Sequence, residues 1–284
     1  MLNIIYSLVS LALLVPFIIA LIHVSISYFL AWIDLRLENM KQHFHPNRQH
    51  IPKLKNYLKS FVIEIFCRTA TIILYPMSLI SDKSKTNNGK PILLVHGYNL
   101  HKAAWLWFKY KLEEKGVGPI YTINLSPPYA SIERIAENLA ETIDQIRNEN
   151  NDQKISLIGH SMGGLVCSYC SEYLLMEKEC VSEIITLGSP LNGTRLAALG
   201  HGENIIQMTT QSPFLEKLRV QIESSTIPYY HIASKLDNII VPWQSALPNE
   251  VKKDHCLILE NSGHLQMFIS SHVIEKVFEW ISPT

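Results

Sequence analysis

Lys154-Ile155-Ser156-Leu157-Ile158-Gly159-His160-Ser161-Met162-Gly163-Gly164-Leu165-Val166 is the stretch that decides the fold. Ile155 to Ile158 is a short apolar run bounded by polar residues, and it reads as a buried strand. From Gly164 to Met176 the pattern reads as a helix. A serine on a tight turn between strand and helix is the arrangement of a nucleophile elbow, which lifts the hydroxyl clear of its neighbours. Gly159 and Gly163 flank the serine because such a turn strains the backbone and leaves little room for β-carbons. The helix behind presents unpaired N–H groups and a partial positive charge to any anion forming at the serine. The alternative is a glycine-rich turn that only links two elements; the flanking strand and helix favour Ser161 as a nucleophile.

Outward from this turn, short β-rich runs alternate with helical stretches. Ile92 to Val95, Ile120 to Ile123, Glu183 to Thr186, Tyr229 to Ala233 and Cys256 to Leu259 read as strands. Ala104 to Glu114 and Val273 to Ile281 read as helices, as does Ser131 to Asn148, with Ser131 as N-cap. The alternation predicts an α/β domain with a mostly parallel sheet covered by helices on both faces. Reactive groups then gather at the carboxyl ends of the strands.

Polar residues fall at those ends. A serine hydroxyl needs a neighbouring base, and the base needs an orienting carboxylate, in the chain order Ser, acid, His for this architecture. Asp237 lies in a loop just past the Tyr229–Ala233 strand and is the leading acid, with Glu250 and Asp254 as alternatives further from a strand end. His264 sits in the small-residue loop Asn261-Ser262-Gly263-His264-Leu265 and is the leading base. Its rivals are His255, which begins a strand, and His272, at a helix start. An oxyanion needs two aimed donors. The N–H of Met162 is one, and the N–H of Tyr98, after Gly97 in the loop beyond the first strand, is the candidate second. His96 reads as a turn histidine that holds this loop. Trp105 and Tyr129 fall near the same rim and are candidate substrate-lining aromatics, although aromatics at such places often only pack.

The amino-terminal third is different material. Leu2 to Trp32 contains no Asp, Glu, Lys or Arg, and about 20 apolar residues suffice to cross a bilayer. A cleaved signal peptide competes with a retained anchor, but the basic n-region and small-residue cleavage site are missing. A basic segment over 33–60 follows, with Arg36, Lys41, Arg48, Lys53, Lys55 and Lys59. A second apolar run, 61–80, is interrupted by Glu64 and Arg68, whose spacing lets them pair on one helix face. The expectation is a membrane anchor region over 1–85, as a hairpin of two spans, and a catalytic domain over 86–284. The polar stretch from Ser81 to Lys90 is the linker.

Among 284 residues, 47% are hydrophobic and 25 basic residues balance 25 acidic ones, so nothing points to a nucleic-acid partner. The five cysteines are scattered, and Cys167 and Cys170 lie inside the elbow helix, where core packing is the simpler reading than metal or redox chemistry.

With these residues in place, the chain from about Pro91 onward resembles the α/β-hydrolase lipases and esterases of bacteria. The stretches that carry the likeness are Val95-His96-Gly97-Tyr98, Gly159 to Gly164, Leu187-Gly188-Ser189-Pro190-Leu191-Asn192-Gly193-Thr194, Asp237 to Pro242 and Gly263-His264. It is especially similar to membrane-anchored triacylglycerol-lipase-like proteins. The resemblance implies Ser161 as nucleophile, Asp237 as acid, His264 as base, Tyr98 and Met162 as oxyanion donors, and a helical cap or lid inserted over 194–226. It implies hydrolysis of lipid-like carboxylic esters through an acyl-enzyme, with no metal or cofactor, from an anchored position at the bacterial inner membrane. A thioesterase or acyltransferase on the same scaffold is the alternative, followed by a non-catalytic module that binds lipid or protein.

Overall fold

Strand β1 (Ile92–Val95) shows how the core is divided. Leu93 and Val95 join one buried cluster and Ile92 and Leu94 join another, the period of two expected of a strand covered on both faces. A computed structural model describes residues 2–41, 53–80, 84, 89–250 and 252–282. Arg48 and most of the linker expected over 81–90 lie outside the described residues.

Besides β1, the strands are β2 (Ile120–Ile123), β3 (Ile155–His160), β4 (Val181–Leu187), β5 (Tyr229–Ser234) and β6 (Cys256–Leu259). They form one parallel sheet in the order β2-β1-β3-β4-β5-β6. The helices are α1 (Leu2–Lys41), α2 (Leu54–Ile73), α3 (Leu106–Glu114), α4 (Ile132–Glu149), α5 (Met162–Tyr169), α6 (Glu203–Gln207), α7 (Pro213–Glu223) and α8 (Ser271–Ile281). On one face lie α4 and α5. The apolar stripe of α4 (Ile132, Ile135, Leu139, Ile143, Ile146) is buried there, and the helix is capped by Ser131 Oγ, which accepts from Arg134 N at 3.3 Å. The other face carries α8, through Val273, Ile274, Val277 and Ile281, and the aromatic pair Trp105 and Phe108 at the start of α3. The expected parallel α/β architecture, with helices on both faces, is the one found.

The amino-terminal elements differ in extent from the sequence reading. Helix α1 runs on to Lys41, because Asp34-Leu35-Arg36-Leu37 contains no Gly or Pro to stop it. Helix α2 starts at Leu54, inside the expected basic loop, and a tight turn over Tyr75–Leu79 follows it. Among the described residues one helix, across Ser10–Leu37, is long and apolar enough to cross a membrane. Its second half packs on α2: the Tyr28 ring meets Tyr57 and Phe61 edge-on at 5.1 and 5.5 Å, around Ala20, Val24 and Ile65.

Candidate active site

Ser161 stands between β3 and α5 with φ 55° and ψ −128°, a conformation that costs a non-glycine residue about 1–3 kcal/mol. The surroundings hold it there. Ser161 N donates to Leu187 O at 2.8 Å, and Gly164 N donates to Ser161 O at 3.1 Å. A β-carbon at Gly163 would collide with the carbonyl oxygen of Val95, so only glycine lets the first turn of α5 lie against β1. At Gly97 a β-carbon would come within 2.7 Å of Ser161 Cβ, which brings the loop after β1 directly onto the serine. Met162 opens α5, and a first-turn N–H has no partner within its own helix. Tyr98 follows Gly97 in the loop that touches the serine. The His96 ring holds that loop: Nδ1 donates to Gly97 O at 2.8 Å and Nε2 accepts from Leu125 N at 3.0 Å. Burial lowers the His96 pKa to about 4, which keeps the ring neutral for both bonds.

Asp237 and His264 meet beyond the ends of β5 and β6. One carboxylate oxygen of Asp237, Oδ1, accepts from Ile239 N at 2.8 Å and Ile240 N at 2.9 Å, a turn that fixes the carboxylate plane. The other, Oδ2, lies 2.9 Å from His264 Nδ1. His264 N in turn donates to Asn238 Oδ1 at 3.2 Å. Burial opposes a charge on His264 most strongly, but the Asp237 charge, the hydrogen bond to it and the nearby Glu64 outweigh that, leaving the imidazole above its ordinary 6.5. His160 packs beneath, its Nε2 donating to His264 O at 3.1 Å and its ring 4.4 Å from that of His264. Burial keeps His160 neutral, holding it well below 6.5. The rivals lie elsewhere. Glu250, Asp254 and His272 are exposed, and His255 bonds the Tyr229 carbonyl.

Ser161 and His264 open onto one cavity of about 340 Å³. Tyr98 and the 194–226 insertion wall it on one side, the latter through Leu196, Leu199, Ile205 and Met208. Tyr98 Oη donates to His201 O at 3.0 Å, tying the insertion to the loop after β1. Tyr129, expected to line the cavity, does not: it packs behind two residues that do, its Oη donating to Asn99 Oδ1 at 3.0 Å and its ring 4.4 Å from that of His201. Trp105 corrects the sequence reading: it does not line the cavity but is fully buried below it, edge-on to Phe268 at 4.6 Å. A large ring among Phe108, His160 and Phe268 gains more from burial than from the rim.

The sequence reading missed the contribution of the amino-terminal helices. From α1, Val24, Ile26, Ser27 and Leu30 line the same cavity, and from α2 so do Glu64 and Arg68. Glu64 is buried and accepts from Leu265 N at 2.7 Å and Gln266 N at 3.3 Å, directly after His264. Gln266 Nε2 donates to Ser60 O at 2.6 Å, and Asn238 Nδ2 donates to Ser27 Oγ at 2.7 Å. Asp34 of α1 pairs with Arg195 of the insertion. The only local signal was the pair of charges in an otherwise apolar run, which reads equally well as a helix in lipid or a helix docked on protein.

The fold is that of the parallel-sheet α/β hydrolases. A mature lipase of Bacillus licheniformis superposes with a TM-score of 0.57 at 17% identity, over 70% of this chain and 95% of its own. Est816, an N-acyl homoserine lactone degrading enzyme, superposes at 0.53 and 13% identity, over 71% of this chain and 95% of its own. The chain belongs to the family of PGAP1-like alpha/beta domains, whose model matches residues 130–277. By sequence it is similar to putative methylesterase 14 of Arabidopsis thaliana, 32% identical over 33% of this chain and 28% of that protein. It is also similar to triacylglycerol lipase 2 of Saccharomyces cerevisiae, 24% identical over 54% of this chain and 46% of that protein. The chain spans about a quarter to a half of the length of the curated relatives it matches.

Proposed function

We propose that this protein is a serine hydrolase that cleaves carboxylic esters of lipid-like substrates through an acyl-enzyme. The observation that carries the reading is the buried Asp237–His264 pair beside a strained Ser161 on one largely apolar cavity. In this mechanism His264 removes the proton from Ser161 Oγ as the oxygen attacks the ester carbonyl. Asp237 fixes the tautomer that leaves Nε2 free to do so and stabilises the imidazolium. The N–H groups of Met162 and Tyr98 hold the oxyanion, a contribution of several kcal/mol in such sites. The alcohol then departs with the proton from His264, and water, deprotonated by the same ring, releases the acid. The lipase and methylesterase names among the relatives agree with this chemistry.

The membrane enters through α1. A helix of 40 residues is about 60 Å long, whereas a bilayer core is about 30 Å thick. Its amino-terminal half exposes Leu11, Leu13, Leu14, Phe17, Ile18 and Ile19, and its second half lines the cavity. In this reading the first half is anchored in lipid and the cavity opens at the bilayer surface, so acyl chains enter beside α1. Replacing Ser161 by Ala should abolish hydrolysis of p-nitrophenyl acyl esters by the full chain. Undiminished turnover overturns the assignment.

A further inference from the structure

The charge on α2 is not accounted for by ester chemistry. Arg68 lines the cavity that holds Ser161 and His264, together with Val24, Ile26 and Leu30 and the polar His23, Ser27 and Glu64. A guanidinium stays charged in proteins, and burying a cation is costly unless an anion answers it. Its Nη1 makes one long bond, 3.4 Å, to the carbonyl of Asn99, immediately after Tyr98. Its Nε is buried with no hydrogen-bond partner. The nearby carboxylate, Glu64, is one turn away but gives its oxygens to the backbone of Leu265 and Gln266. The fork of Arg68 thus has donors to spare in the cavity that also holds Ser161.

We infer that Arg68 is a specificity residue that binds the phosphate of a membrane phospholipid while Ser161 attacks one of its acyl esters. The inference rests on the hydrolase reading above and narrows its substrate class. The planar guanidinium matches a phosphate with two parallel hydrogen bonds. In a glycerophospholipid three atoms separate the central ester oxygen from the phosphorus, so one cavity can hold both groups. Ser161 Oγ takes the acyl group, the ester oxygen leaves as the lysophospholipid alcohol with the proton from His264, and water releases the fatty acid. A merely structural role for Arg68, pinning the loop at Asn99, would slow every ester alike.

The test uses the full chain in neutral detergent micelles carrying dioleoyl phosphatidylglycerol, dioleoyl phosphatidylcholine or dioleoylglycerol. The same acyl chains and ester bonds occur in all three, and the micelle keeps surface charge low. Wild type should favour both phospholipids over the diacylglycerol in kcat/KM. Arg68→Gln should lower that ratio by about 10- to 100-fold, the worth of one or two hydrogen bonds to a charged group. Arg68→Lys, which keeps the charge and loses the fork, should fall between. Wild type that hydrolyses all three lipids without preference overturns the inference and leaves the hydrolase reading intact, whatever the variants do. An Arg68→Gln ratio equal to that of wild type overturns it as well. Wild type that hydrolyses no ester, p-nitrophenyl butyrate included, removes both readings.

Discussion

Asp237→Asn is the perturbation whose outcome the geometry constrains most. Asp237 Oδ1 accepts two backbone N–H groups, from Ile239 and Ile240, while Oδ2 faces His264 Nδ1. An asparagine has one acceptor oxygen and one donor NH₂. Turning the NH₂ toward Ile239 and Ile240 would set a donor against two donors and lose both bonds, each worth about 1 kcal/mol net with a further desolvation penalty. The amide therefore keeps its oxygen on the turn and points its NH₂ at His264. The histidine then has to accept at Nδ1, which puts its proton on Nε2 and leaves that nitrogen unable to act as a base. The loss expected is about 10⁴-fold in kcat, or about 5.5 kcal/mol, as for the wrong tautomer in a serine triad. The assay is p-nitrophenyl butyrate hydrolysis by the full chain near pH 8, with far-ultraviolet circular dichroism to show that the fold is kept. Activity within about tenfold of wild type would refute the roles given to Asp237 and His264.

The same geometry sets further outcomes. Because His264 is raised above 6.5, kcat/KM should fall as pH drops through a value above 6.5, a profile read directly from initial rates; a midpoint below 6 would contradict the Asp237 pairing. Burial raises Glu64 to about 7, so its contribution to stability is fully present below about 4.5 and is lost as pH rises through 7. Urea unfolding of wild type should therefore lose about 2–3 kcal/mol between pH 5 and pH 8 relative to Glu64→Gln, and parallel pH slopes would argue against a buried, titrating Glu64. Gly97→Ala should cost about 100-fold in kcat, since its methyl would push the oxyanion loop off Ser161; a rate within twofold would contradict that contact. Leu30→Trp narrows the cavity from the α1 side and should shift the ratio of short- to long-chain ester hydrolysis by about tenfold, whereas an unchanged ratio would place the acyl chain elsewhere.

What the sequence made legible was local. The elbow could be read because the strand, the serine turn and the helix are contiguous, and the glycines report close packing that only their neighbours impose. Asp237 and His264 stood out because each lies in a loop just past a strand, where a parallel sheet gathers its polar groups. Glu64 was opaque for the opposite reason: its partner Leu265 lies 201 residues away, and no periodicity in α2 encodes it. The second apolar run satisfied a membrane reading, yet Glu64 within it is buried and accepts from the backbone N–H groups of Leu265 and Gln266. Trp105 was misplaced because aromaticity near a strand end does not say whether the ring turns outward to the cavity or inward to Phe268.

The central claim is that Ser161 is the activated nucleophile of this cavity. A fluorophosphonate probe, which phosphonylates a serine only when a neighbouring base and oxyanion donors serve it, tests that claim without knowledge of the natural substrate. Peptide mass spectrometry of the labelled full chain should find the adduct on Ser161, and Ser161→Ala should take up none. A folded wild-type protein that stays unlabelled, or an adduct on another residue, would contradict the account.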